Sequence, residues 1–227
     1  MLSTCVPPAA EVLEQRGHRS VCRTGRCRIE QMRNHENRQR SVFVVAGPAG
    51  SGKSTLGRAL AGVTGAVVLD QDIATNPLMA QLAVLVGAGD DLDHPALRGP
   101  VRQARYQCLV DVAVDNGRLG RDVVMIAPFT AECADQQAWL QLTRQLAPAQ
   151  VRLIWVTVPP EVALARRIRR NLARDAAAGT AAVPAPAPDP VVEHLSASGS
   201  AEPQGEAARI ARVVRERTAR REVSPPG

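Results

Sequence analysis

The sequence predicts an α/β fold, a parallel sheet with helices on both faces. Three observations point to it. Short apolar, β-branched runs alternate with longer stretches of helical periodicity. The runs lack a polar face, as strands covered on both sides do. A glycine-rich turn joins the first run to the first helical stretch, giving strand, loop and helix in immediate succession.

The elements follow in order. "SVFVVAG", starting at Ser41, is the first strand, and "STLGRALAGVTG" is the helix after it, with Leu56, Leu60 and Val63 at helical spacing and glycines at its end. "AVVLD" at 66–70 is the second strand. Helical stretches at 77–86 and 100–117 follow, split by the loop "GAGDDLDHP". "RDVVMIAPF" at 121–129 is the third strand, with a helix near 133–146 ending in "LAP". "VRLIWVTVP" at 151–159 is the fourth strand, and "PEVALARRIRRNL" opens with Pro160 in a first helical turn. The Ala/Pro-rich "GTAAVPAPAPDP" (179–190) predicts a linker. "VVEHLSASG" supplies a fifth short strand, and "EAARIARVVRERTARR" a last helix with Ile210, Val213 and Val214 on one side. The domain is expected over 41–218, with a lid and linker at about 166–190. Residues 1–40 read as a disordered leader, with Met32 as an alternative start, and 219–227 as a tail.

Composition narrows the function. The net charge is +6, but residues 41–175 hold fourteen basic against twelve acidic residues, while 1–40 hold eight against four. A near-balanced core in a chain with only 2% aromatics lacks both the basic footprint and the stacking platforms of a nucleic-acid binder. No apolar run reaches the ~18 residues of a membrane span, and the N-terminus has no signal-peptide pattern. Five cysteines with no completed zinc spacing fit a reducing cytoplasm, so a cytoplasmic location is expected.

One position stands apart. Of 28 basic residues, Lys53 is the only lysine, and it lies in "GPAGSGKS" (47–54), which fits G-x-x-x-x-G-K-[ST] between a strand and a helix. Glycines 47, 50 and 52 let the backbone bend and approach a polyphosphate closely. The successive N–H groups from Gly47 to Lys53, of which Pro48 has none, form an anion nest at a helix start. Ser54 offers a hydroxyl to Mg²⁺ and Thr55 a polar contact near the α-phosphate. Lys53 supplies a compact charge between the β- and γ-phosphates, where a forked guanidinium would not thread. ATP and Mg²⁺ are the expected cofactors.

Other nucleotide-binding classes lack their elements here. A guanine-reading N-K-x-D cannot exist with one lysine already used. No L-S-G-G-Q signature is present, and the third strand does not end in Asp-Glu. "VVLDQD" instead places Asp70 and Asp72 at the second strand's end, on one side of the chain if it stays extended. Carboxylates at strand C-termini face the ligand crevice, and one there can take a proton from a hydroxyl or hold Mg²⁺ through water. Asp70 is favoured as base and metal ligand with Ser54, and Asp72 as a substrate contact. The reverse order and a plain helix-capping role for Asp70 stay open.

With the P-loop, the Asp-x-Asp and the arginine-rich stretch after strand four, residues 41–175 resemble the small-molecule kinase branch of P-loop proteins. That group contains gluconate kinase, shikimate kinase, chloramphenicol phosphotransferase and zeta-toxin-like kinases, and is often labelled AAA-family ATPase. The resemblance implies a three-layer P-loop NTPase fold, with sheet order 2-3-1-4-5 and a lid between strands four and five. It also implies lid arginines that stack on adenine or stabilise the transferring phosphoryl group. In "EVALARRIRRNLARD", Leu164, Ala165, Ile168 and Leu172 share one face, and Arg166, Arg170 and Arg174 are the candidates. Arg98, Arg102 and Arg105 make a stripe near the 100–117 helix, beside Tyr106, that suits an anionic or polyhydroxylated acceptor or an ordinary surface. His94 reads as an exposed loop residue or an acid/base. The expected activity is transfer of the γ-phosphoryl group of ATP to a hydroxyl of a small molecule. The alternatives are an ATPase or switch without a small acceptor, and a polynucleotide 5′-kinase.

Overall fold

The computed structural model describes residues 39–89, 91, 92, 94–170 and 187–223. Arg174, most of the 179–190 linker, the leader through residue 38 and the last four residues lie outside these. The chain forms β1 (Ser41–Ala46), α1 (Lys53–Thr64), β2 (Val67–Asp70), α2 (Gln71–Leu85), a 3₁₀ turn (Pro95–Leu97) and α3 (Pro100–Arg118). There follow β3 (Val123–Ile126), α4 (Thr130–Ala134), α5 (Gln136–Gln145), β4 (Gln150–Thr157), α6 (Pro160–Arg170), β5 (His194–Ser198) and α7 (Pro203–Val223).

All five strands are parallel, in the order β2-β3-β1-β4-β5. This is the P-loop NTPase arrangement. In the register, Val44 pairs with Met125 on one side and Leu153 on the other. Successive side chains of β1 point to opposite faces and build two cores. Val42 and Val44 face Leu109 and Val110 of α3 and Trp139 and Leu142 of α5. Phe43 and Val45 face Leu56 and Leu60 of α1 and Ile210 and Val214 of α7. A third, smaller cluster of Met79, Ala83 and Leu97 holds α2 against the start of α3. The two large cores fix the strand ends rigidly, and the small one carries the segment between β2 and β3.

Several elements depart from the sequence reading, each for a local reason. The chain does not stay extended after Asp70. α2 begins at once, because the Asp70 carboxylate caps it by accepting from the Asp72 N–H at 3.2 Å. Asp72 thus sits in the first helical turn rather than two residues along a strand. The stretch predicted as one helix near 133–146 is two, since Asp135 is extended and its carboxylate caps α5 through the N–H groups of Gln137 and Ala138. Arg98 falls outside α3: Gly99, with φ of 68°, turns the chain before Pro100 opens the helix. Arg98 therefore leaves the stripe expected with Arg102 and Arg105. In α6 the expected apolar face is not the buried one, for Ile168 is 68% exposed while Ala163 is buried. His94 caps the 3₁₀ turn, its Nδ1 accepting from the Ala96 N–H.

Candidate active site

The loop Gly47–Gly52 passes from buried β1 into α1. Gly47, Gly50 and Gly52 have φ of 143°, 83° and 95°, a region costly for any residue with a Cβ. Space forbids one as well. A Cβ at Gly47 would lie 2.3 Å from the Val156 carbonyl oxygen, and at Gly50 2.6 Å from that of Ala163. Pro48 and Ala49 form the outer bend, where the Ser51 N–H returns to the Pro48 carbonyl at 3.2 Å. The Gly47 N–H donates to the Pro128 carbonyl at 3.3 Å, tying the loop to the end of β3.

Lys53 is the first residue of α1, and its ammonium donates to the Pro48 carbonyl at 2.8 Å, lying across the loop. Ser54 and Thr55 complete the first turn. That turn has no acidic residue, and Gly52 provides no side-chain cap, so it is left to an external acceptor. Ser51 is fully buried with its hydroxyl unpartnered among the described residues. An anion seated in the loop fits this donor set.

Two further segments press on the loop. Gly199, just past β5, abuts Ser51 so closely that a Cβ there would fall on the Ser51 carbonyl oxygen. Arg166 of α6 donates to the carbonyls of Gly50, at 3.3 Å, and Gly199, at 3.0 Å. It thus straps the loop to the β5 turn. Beside Arg166 a cavity of about 310 Å³ runs along Glu161, Val162, Ala165 and Arg169. Arg170 ends α6 at the edge of the described residues.

The β5 turn is itself anchored by charge. Glu206 accepts from the Ser198 N–H at 3.0 Å, and Arg209 bonds both Glu206 and the Ser196 carbonyl at 2.8 Å. The Arg209 guanidinium holds the Glu206 carboxyl below its ordinary value, aided by the Ser198 N–H. The Gln204 and Gly205 N–H groups do the same for Glu202, which caps α7. Because their folded values are depressed, these glutamates contribute full stability above the ordinary value of 4.5 and lose it as pH falls through the folded values. The melting temperature of Glu206→Gln should therefore fall less steeply than wild type below about pH 4.5; parallel slopes would contradict the assignment.

Across the crevice lie the carboxylates. Asp70 is 7% exposed at the end of β2, and Arg58, one turn beyond Ser54, bonds its second oxygen at 2.9 Å. Asp72 is half-exposed and held by Arg105 at 3.2 Å. Arg105 also donates to Thr75 at 2.7 Å and Asn76 at 2.8 Å, so it faces α2 rather than open solvent. Arg102 turns the other way, its guanidinium 4.6 Å from the centre of the Tyr106 ring.

The structure therefore gathers Lys53, Asp70, Asp72 and Arg105 at the C-terminal edge of the sheet, brings Arg166 to the loop from the other side, and leaves Arg98 apart. Sequence reasoning missed Arg58 and Gly199. Arg58 had a weak signal, its i, i+4 relation to Ser54. Gly199 had none, because its partner lies 148 positions away in sequence.

Solved structures share this architecture. One is a candidate kinase from Chloroflexus aurantiacus, with a TM-score of 0.60 and 17% identity over 79% of this chain and 98% of that one. A second is the APS kinase of Mycobacterium tuberculosis, solved with AMPPNP and APS, at 0.54 and 16% over 78% and 98%. A third is a sugar kinase from Janibacter, at 0.51 and 18% over 77% and 94%. No curated protein matches the sequence. Residues 42–185 match the family model described as the AAA domain, and with more than half its length inside that match the chain belongs to the AAA domain family.

Proposed function

We propose that the protein transfers the γ-phosphoryl group of ATP, with Mg²⁺, to a hydroxyl of a small molecule. One observation carries the reading most directly. The glycine loop and Lys53 sit at the same sheet edge as Asp70, Asp72 and an Arg105 fixed in place. The kinases with which the fold is shared support it. The donor and acceptor would meet between these two groups.

The chemistry asked of the protein is positioning and charge neutralisation. Lys53 and the N–H groups of 49–54 hold the β- and γ-phosphates. Ser54, with Asp70 through water, would hold Mg²⁺, which supplies charge neutralisation between the phosphates. In this reading Arg166, which already binds the Gly50 carbonyl of the loop, turns to the nucleotide when it is bound, and Arg170 and Arg174 are the further lid candidates. A bond forms between the acceptor oxygen and the γ-phosphorus, the bond to ADP breaks, and a carboxylate takes the hydroxyl proton. The geometry favours Asp72 for that proton. Asp70 is buried, with one oxygen on Arg58 and the other on the α2 N-terminus, whereas Asp72 is half-exposed and oriented by Arg105.

The test is γ-phosphoryl transfer from labelled ATP to a panel of small hydroxyl compounds, with product detected directly. Asp72→Asn is expected to lower transfer about 100-fold or more while sparing nucleotide binding, the usual scale for losing a general base. Asp70→Asn is expected to act chiefly on Mg²⁺ dependence and stability. Full transfer by Asp72→Asn with a loss confined to Asp70→Asn would restore Asp70 as base. Turnover of ATP with no product across the panel would point to the ATPase reading.

A further inference from the structure

α2 departs from the pattern of a surface helix. One side is buried in the usual way: Gln71, Thr75, Met79 and Ala83, four residues apart, face the protein. The opposite side should carry charge, as the outer face of α7 does with Arg212, Arg215, Glu216 and Arg220. It carries none. Ile73, Leu78, Val84 and Leu85 are each between 65% and 79% exposed. Ala74, Pro77 and Ala80 are exposed among them, and Gln81 is the one polar residue of the face. No charged residue occurs from Ile73 to Gly89, in a chain whose residues are 22% charged.

A helix that is apolar on all sides belongs in an interior. Single exposed apolar side chains are ordinary, but these adjoin one another. The four large ones leave roughly 150–350 Å² of apolar surface in water, at ~60–120 Å² for each whole side chain. With the three smaller residues the patch reaches the size that marks an interaction surface.

The layout of the face fits a second copy of itself. An antiparallel α2, centred at the level of Met79, sets large side chains against small ones. Leu78 meets Ala80 of the second copy, Val84 meets Ala74, and Ile73 meets Leu85. Gln81 meets Pro77, the proline inside the helix. Pro77 has no N–H, so the Ile73 carbonyl one turn earlier lacks its helical donor, and the Gln81 amide supplies one. A face without charge also approaches its own copy without repulsion. Two such faces with their rims approach the ~1,000 Å² of total buried surface that a specific interface requires.

We propose that α2 is a dimerisation helix, packed antiparallel on the α2 of a second copy about a two-fold axis at the level of Met79. The two Asp72 residues then lie at opposite ends of the helix pair, about one helix length, ~22 Å, apart, so each copy keeps its own site. The pairing is independent of the phosphotransferase reading.

Sedimentation velocity of the full chain, from about 1 to about 200 µM, measures it. Wild type should pass from monomer to dimer in the micromolar range, as an interface near the small end of the specific class gives. Val84→Lys should keep the circular dichroism and melting temperature and raise the dimer Kd about 10-fold or more, because pairing then buries an unpaired ammonium. Ala74→Glu should do the same. An equimolar mixture of the two variants should associate about threefold more tightly than either alone, since their new charges meet across the axis. Val112→Lys, on α3 at a residue 41% exposed, should leave the Kd unchanged. A wild-type chain that stays monomeric to about 200 µM would overturn the proposal and leave the face to another segment of this chain or to a different protein. Association indifferent to Val84→Lys, or weakened as much by Val112→Lys, would put the interface elsewhere and overturn it as well. Loss in each single variant with no recovery in the mixture would overturn the antiparallel pairing.

Discussion

Lys53→Ala is expected to lower the affinity for ATP with Mg²⁺ about 100-fold or more and to bring phosphoryl transfer below detection. The ammonium lies across the glycine loop, where it donates to the Pro48 carbonyl at 2.8 Å. Phosphate oxygens entering the nest would replace that carbonyl as its acceptors, and each charge-assisted bond lost costs about 1.5–3 kcal/mol. Lys53→Arg sharpens the test. Charge is retained, but the planar fork is too wide for a loop whose glycines already touch the Val156 and Ala163 backbone. Arginine should therefore recover little of the loss. Calorimetric titration of each purified, folded variant measures this, and an alanine variant within threefold of wild type would refute the role assigned to the loop.

Gly199→Ala should damage nucleotide binding nearly as much without touching any phosphate contact. Its Cβ would fall on the Ser51 carbonyl and lie 3.0 Å from the Val158 side chain, so backbone must move. The nearest backbone to move is the phosphate loop, since Arg166 ties Gly50 and Gly199 together. Overpacking of this kind costs about 1–3 kcal/mol in stability, and displacement of the loop adds a loss in nucleotide affinity. Gly117→Ala is the matched control. It is helical, has open space around its Cβ, and should be neutral or stabilising by about 0.4–1 kcal/mol. Equal melting temperatures and affinities for Gly199→Ala and wild type would show that the β5 turn does not brace the loop.

Local features were legible in the sequence where one stretch of chain carried the whole signal. "VFVVA" and "VVMI" read as strands because both faces are apolar, and both are buried throughout. The glycine turn from β1 into α1 was readable to the residue, because glycines at 47, 50 and 52 answer a backbone requirement that their positive φ values show. Asp70 and Asp72 were readable as a pair but not in their division of labour. Their surroundings differ because Arg58, twelve residues before Asp70, binds one and Arg105, thirty-three after Asp72, holds the other. Arg102 and Arg105 look alike as a stripe, yet one stacks on Tyr106 and the other is bound to α2.

By itself, then, the sequence determined the alternation of strands and helices, the parallel sheet and the glycine loop between β1 and α1, since periodicity and backbone conformation are properties of neighbours in the chain. Only the tertiary structure decided which carboxylate is masked, that Gly199 and Arg166 brace the loop, and that Phe129 takes a positive φ against Tyr106. Those contacts join residues far apart in sequence, and their energies exist only once packing has removed water from between them.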